Sequence, residues 1–153
     1  MDEQFRGALA QLALGLRGDG VLVMPEGRGL QMGPPDEVFD RPATTTVAGI
    51  VNDPPMNIVD AAIDDGLIRL GGGRSLPLPT HMRGLPLGNY RFGLRANELE
   101  LGATDDALGT VTFSEVSGSE TFIHVDTGFG PLVIQIEGVH LFALNAAVPV
   151  AID

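Results

Sequence analysis

"SGSETFIHVDTGFGPLVIQI", residues 117–136, holds two short runs on either side of a turn-forming "DTGFG". In the first run Phe122, His124 and Asp126 fall two residues apart on one side, and in the second Leu132, Ile134 and Ile136 do the same. A period of two is the mark of a strand, because successive side chains point to opposite faces of a sheet. The stretch therefore reads as a pair of strands joined by a glycine-rich turn.

Working outward, the same pattern recurs. "YRFGLR" places Tyr90, Phe92 and Leu94 on one side and Arg91 and Arg95 on the other. "VTFSEV" brings Val111 and Phe113 together, and "VPVAI" does so for Val148, Val150 and Ile152. Segments near 58–63, 67–70 and 76–78 complete a set of about eight strands, separated by turns such as "DDG" and "GGG". Short strands at this spacing predict a sandwich or a small barrel.

The part before residue 57 has a different character. Phe5, Leu9, Leu12 and Leu16 lie at helical spacing, so residues 3–16 predict a helix, followed by a short buried strand at "VLVM", 21–24. "GPPDEVFDRP", 33–42, has prolines at the start of a two-turn helix, Asp36 and Glu37 in its first turn and Pro42 as its stop. "TTTVAGIV" predicts a second short helical segment. The expected class is mainly β with a short α-helical lead, and the expected division lies between 1–51 and 52–153.

Composition narrows the functions. The net charge is −11, all nine basic residues are arginine, and 44% of the 153 residues are hydrophobic. A folded acidic chain without clustered basic residues is a poor partner for nucleic acid or for an anionic membrane surface. The absence of lysine removes Schiff-base chemistry and the lysine of a phosphate-binding P-loop, and the absence of cysteine removes thiol catalysis and thiolate metal sites. "MDEQFRG" is acidic where a secretion signal is positively charged, which predicts a cytoplasmic protein. The longest apolar stretch, "VHLFALNAAVPVAI", contains His140 and Asn145 and is too short to span a bilayer.

Three features invite a chemical reading. His124 and Asp126 share a strand face and could form two ligands of a metal site or an oriented acid–base pair; the simpler reading is a histidine packed beside an aromatic and a carboxylate at a turn. "RLGGGRS", 69–75, could cradle a phosphate through backbone N–H groups, but it lacks the following helix and the Lys-Ser/Thr ending of a P-loop, and a hairpin loop is the simpler reading. The acid pairs Asp64–Asp65 and Asp105–Asp106 sit in expected turns, where solvated carboxylates are ordinary.

Three blocks carry a resemblance. "GRGLQMGPPDEVFDRPATTTVAGIVNDPPMN" is similar to the end of the ATPase domain in ATP-binding subunits of carbohydrate-type ABC importers, the maltose and sn-glycerol-3-phosphate group. Gly27, Gln31, Gly33, Pro35, Glu37, Phe39, Arg41, Pro42, Val47, Ala48, Gly49, Pro54, Met56 and Asn57 match that family's pattern. "YRFGLRANELELG" resembles its strand ending in Gly-Ile-Arg-Pro-Glu-His, with Gly93 and Arg95 matching and Ala96, Asn97 and Glu98 replacing the last three. "SGSETFIHVDTGFGPLVIQI" resembles its Gly-x-Glu-Thr strand pair through Gly118, Glu120 and Thr121. Asn145 stands where the family has a glycine, and asparagine tolerates the left-handed conformation best after glycine.

The resemblance implies a TOBE-type regulatory domain, a variant of the OB barrel, attached to the end of an ATPase domain. It implies a non-catalytic chain: there is no Walker A lysine, no LSGGQ-like run and no histidine before residue 81. The implied partners are a second copy of the chain and, through the missing ATPase domain, the permease subunits. No cofactor is implied. Related barrels that bind oxyanions or sugar phosphates supply the alternative, a small-ligand site. The resulting regulatory or ligand candidates are Arg95, Glu98, Glu120, His124 and Asp126.

Overall fold

The computed structural model describes residues 20–102 and 107–152. The helix expected over 3–16 and the pair Asp105–Asp106 lie outside them. The chain divides into two compact units, Met1–Met56 and Asn57–Asp153.

In the first unit, β1 (Val21–Val23) pairs antiparallel with β2 (Gln31–Gly33). Two helices follow, α1 (Pro35–Asp40) and α2 (Thr45–Val51), where the prolines and the Val-Ala-Gly segment predict them. Pro35 opens α1 at a position whose missing N–H costs no helical bond, and Asp36 and Glu37 meet the positive end of the helix dipole. Thr44 caps α2 by accepting from the Val47 N–H at 3.2 Å. Val23, Val38 and Val47 form the buried centre, so one strand and both helices meet on three valines. The Gln31 amide joins the pieces: it donates to the Arg41 carbonyl at 3.0 Å and accepts from the Ala43 N–H at 2.7 Å. The side chain thus imitates a strand partner for the segment between the helices.

The second unit is built of strands: β3 (Asn57–Asp64), β4 (Leu67–Leu70), β5 (Ser75–Pro77), β6 (Gly88–Leu94), β7 (Leu99–Leu101), β8 (Ala107–Ser117), β9 (Glu120–Thr127), β10 (Gly130–Glu137) and β11 (Ala147–Ile152). They form two antiparallel sheets, one in the order β5-β4-β3-β6 and one in the order β10-β9-β8-β11-β7. Among the described residues neither sheet closes on itself or pairs its strands with the other, so the mainly β class holds in the form of two open sheets. Val59, Ala61, Ile63, Ile68 and Leu70 of the smaller sheet share one core with Val111, Ile123, Val125, Leu132, Ile134, Val148 and Val150 of the larger. Full burial of an aliphatic side chain of this size contributes about 1.5–3 kcal/mol, and the alternating rows concentrate it on the facing surfaces.

One expected pairing is corrected. Val111 is buried, but Phe113 is half exposed and sits opposite His124 on the outer face of the larger sheet. A β-bulge between Val111 and Phe113 inserts an extra residue, Thr112, and shifts the alternation by one. Asn145 adopts φ 64°, the left-handed conformation that asparagine tolerates best after glycine.

The glycine-rich loop has a packing explanation. A Cβ on Gly71 would lie 2.8 Å from the Gly128 carbonyl oxygen and 3.1 Å from the Phe129 Cα, and one on Gly72 would lie 3.1 Å from the Gly128 Cα. The β4–β5 loop and the β9–β10 turn press backbone on backbone. Gly71 and Gly72 of "RLGGGRS" are there because nothing larger fits.

Candidate interaction surface

Three of the five sequence candidates lie on one strand. Glu120, His124 and Asp126 alternate along β9 with the buried Thr121, Ile123 and Val125, and therefore face outward from the larger sheet. Glu120 Oε1 accepts from Gln135 Nε2 of β10 at 2.6 Å. The His124 ring packs edge-on to Phe113, with centroids 5.3 Å apart and planes at 74°. Asp126 is exposed, opposite Thr110 and Pro131. Among the described residues no group of three or more His, Asp or Glu side chains converges as a metal site would require. The pair is a packed ring and a solvated carboxylate side by side.

Arg95 and Glu98 are elsewhere, in the short connection between β6 and β7. Arg95 Nη1 lies 3.4 Å from Glu98 Oε1. The strand ends at Leu94, so Arg95 does not continue the row of Arg91 as its spacing predicts.

The motif residues that carried the resemblance prove to be joints. Asn57 is buried at the start of β3 and bonds both backbone groups of Val133 on β10, the edge strand of the other sheet. Thr121 is fully buried; its hydroxyl donates to the Gly138 carbonyl at 2.8 Å and accepts from the His140 N–H at 2.9 Å. It thereby ties the β10–β11 connection to β9. The sequence marks these positions without revealing their work, because each acts on a residue far along the chain.

The outer face that carries Glu120, His124 and Asp126 also carries large apolar groups among these polar ones. On the outer face of the larger sheet Leu108 is 64% exposed and Phe113 51%, with Phe122 and Val133 partly exposed on the neighbouring strands. In the β10–β11 connection Val139, Leu141 and Leu144 are 64%, 93% and 65% exposed. Scattered exposed leucines are ordinary, but several large apolar groups on one sheet and its own connection mark a surface suited to association.

The β unit is thus two open sheets held together by side-chain joints. Comparison with known proteins places it. The chain is 32% identical over 134 residues to the sn-glycerol-3-phosphate import ATP-binding protein UgpC of Cupriavidus pinatubonensis, covering 78% of this chain and 36% of that protein. It is 34% identical over 125 residues to the trehalose/maltose import ATP-binding protein MalK of Thermococcus litoralis, covering 72% of this chain and 34% of that protein. An uncharacterized ABC transporter ATP-binding protein of Sinorhizobium fredii is 35% identical over 113 residues, covering 72% and 30%. No family model matches the chain. The chain is homologous to a part of the ATP-binding subunits of ABC importers for sugars and sn-glycerol-3-phosphate, and it spans about a third of the length of the curated relatives it matches. No helix among the described residues is long and apolar enough to cross a membrane.

Proposed function

We propose that residues 57–153 are the regulatory and dimerisation domain, of TOBE type, of an ATP-binding subunit that serves an ABC importer of sugars or sn-glycerol-3-phosphate, and that the residues before them are the end of its ATPase domain. In this reading the chain catalyses nothing itself. It works at the cytoplasmic face of the cell membrane, its domain packs against the same domain of a second copy, and the permease is engaged through the body of the subunit's ATPase domain rather than through the residues of this chain. Control is exerted by contact: a partner that binds the paired domains changes transport only to the extent that it distinguishes the open from the closed pair.

The observation that carries the reading is the pair of large apolar side chains on the outer face of the larger sheet, Leu108 and Phe113, each more than half exposed in the single chain. The homology supplies the class; the face supplies the means of pairing. Sedimentation velocity over a concentration series tests it. The expected result is a reversible dimer that Leu108→Glu with Phe113→Glu converts to a monomer of unchanged circular dichroism. A strictly monomeric protein at the highest concentration, or a dimer indifferent to both substitutions, overturns it.

A further inference from the structure

Among the described residues the two sheets of the second unit have four edges: β5 and β6 bound the smaller sheet, β10 and β7 the larger. An edge strand presents unpaired backbone N–H and C=O groups, and an edge that must stay unpaired is blunted by a short strand, a proline or a covering side chain. Three of these four edges are blunted. Strands β5 and β7 are three residues long, and β5 ends on Pro77. Strand β10 contains Pro131, and Asn57 occupies both backbone groups of its Val133.

Strand β6 has none of these devices. It runs for seven residues without a proline, and its register with β3 is unbroken from Gly88 opposite Ile63 to Leu94 opposite Asn57. Among the described residues its backbone bonds to no element but β3. Its inward row is incompletely covered as well. Tyr90, Phe92 and Leu94 pack against the core yet stay partly exposed, whereas Val59 and Ile63 on the adjoining β3 are each 2% exposed. Lying at an edge does not by itself explain this, because Leu132 and Ile134 of the edge strand β10 are fully buried. On the outward row Arg91 stands exposed opposite Asp60 of β3, and among the described residues no ion pair joins the two.

One kind of occupant meets all of these conditions. The backbone of an extended segment pairs with the open N–H and C=O groups, and its alternate apolar side chains cover Tyr90, Phe92 and Leu94. A carboxylate between them meets Arg91, whose five guanidinium donors suffice for a carboxylate on each side. A second copy is the poorer occupant. Antiparallel overlap of two whole β6 strands sets Arg91 directly opposite Arg91, and like charges so placed destabilise a strand pair.

We propose that the free edge of β6 takes an extended segment of a partner protein, alternately apolar and acidic, as an added strand of the smaller sheet. The site does not rest on the dimer reading, which concerns Leu108 and Phe113 of the larger sheet.

The test is titration of the whole chain at physiological salt, followed by amide chemical shifts and hydrogen exchange, with three synthetic heptapeptides. The first is Thr-Val-Glu-Val-Glu-Val-Thr, the second has lysine for both glutamates, and the third is the first N-methylated at its three central residues. The glutamate peptide is expected to move the amides of residues 89–94 saturably and to slow exchange at alternate amides of β6. The lysine peptide binds about three- to tenfold more weakly, as exchange of an opposite for a like charge across a strand pair implies, and the methylated one does not bind. Arg91→Glu reverses the order of the two charged peptides. Leu108→Glu with Phe113→Glu leaves peptide binding unchanged, which separates failure here from failure of the dimer reading. Absence of saturable shifts, equal binding of the methylated peptide, or an order that Arg91→Glu does not alter overturns the proposal. Shifts of the same amides with protein concentration alone assign the edge to a second copy and overturn it too.

Discussion

Asn57 serves Val133 as a strand of one residue: its Nδ2 donates to the Val133 carbonyl at 2.9 Å and its Oδ1 accepts from the Val133 N–H at 2.7 Å. Strand β10 is the edge of the larger sheet, so this amide takes the place of a neighbouring strand on its open side. Asn57→Ala removes both bonds and leaves a partly buried N–H and C=O unmatched, which costs about 2–3 kcal/mol of unfolding free energy. Urea denaturation checks it, with an unchanged slope showing that the same surface unfolds. Asn57→Asp should do no better, since it keeps the acceptor for the N–H but turns a carboxylate oxygen toward the Val133 carbonyl.

Thr121 gives a second prediction with a local readout. Thr121→Val has nearly the same shape but loses the bond to the Gly138 carbonyl and the acceptor for the His140 N–H. The expected destabilisation is about 1–3 kcal/mol, because both backbone groups lose their partner in a region where the side chain is fully buried. Hydrogen exchange at the His140 amide should accelerate by more than the global change in stability explains. Equal acceleration across β9 and β10 would show that Thr121 supports the sheet rather than the connection.

These residues also show where reading a sequence succeeds and where it stops. Alternation over β9 and β10 was legible because one face of each strand is buried throughout, so Ile123, Val125, Leu132 and Ile134 repeat every second position. The same logic misassigned Phe113, since a bulge changes parity without leaving any mark in composition. Strand β7, Leu99–Leu101, was not expected at all; three residues are too few to show a period, and pairing with β11 holds them. Asn57, Gln31 and Thr121 stood out through resemblance alone. Their roles are long-range, as Asn57 to Val133 illustrates, and no local pattern encodes a partner that far away. The row of Arg69, Ala62 and Asn89 across the smaller sheet is illegible for the same reason, since the three become neighbours only through the register of three strands.

His124 and Asp126 are the pair for which metal or acid–base chemistry was an option, and the geometry gives each a bland role. His124→Ala loses an edge-on contact with Phe113 and should cost about 0.5–1.5 kcal/mol. Asp126→Asn, at an exposed position, should stay within about 0.5 kcal/mol of the unaltered chain. Thermal unfolding with and without added zinc measures both. A zinc-dependent rise in Tm that either substitution abolishes would restore the metal reading.

The glycine-rich loop separates close packing from phosphate binding. Gly71 lacks an unusual φ, yet its Cβ would lie 2.8 Å from the Gly128 carbonyl oxygen, inside any real contact and against backbone that cannot rotate away. Gly71→Ala therefore forces the β4–β5 loop and the β9–β10 turn apart, at a cost of about 1–3 kcal/mol. Gly73 is the opposite case: φ is +79° and nothing lies within 4 Å of its Cβ position. Gly73→Asn meets no neighbour and carries the side chain best suited to a left-handed backbone, so it should cost under about 1 kcal/mol. Denaturant midpoints for the two variants, measured side by side, check the contrast. If the loop existed to wrap a phosphate, Gly71→Ala would spare stability and abolish a phosphate-induced shift instead; a large loss of stability without phosphate present assigns the glycines to the contact with Gly128.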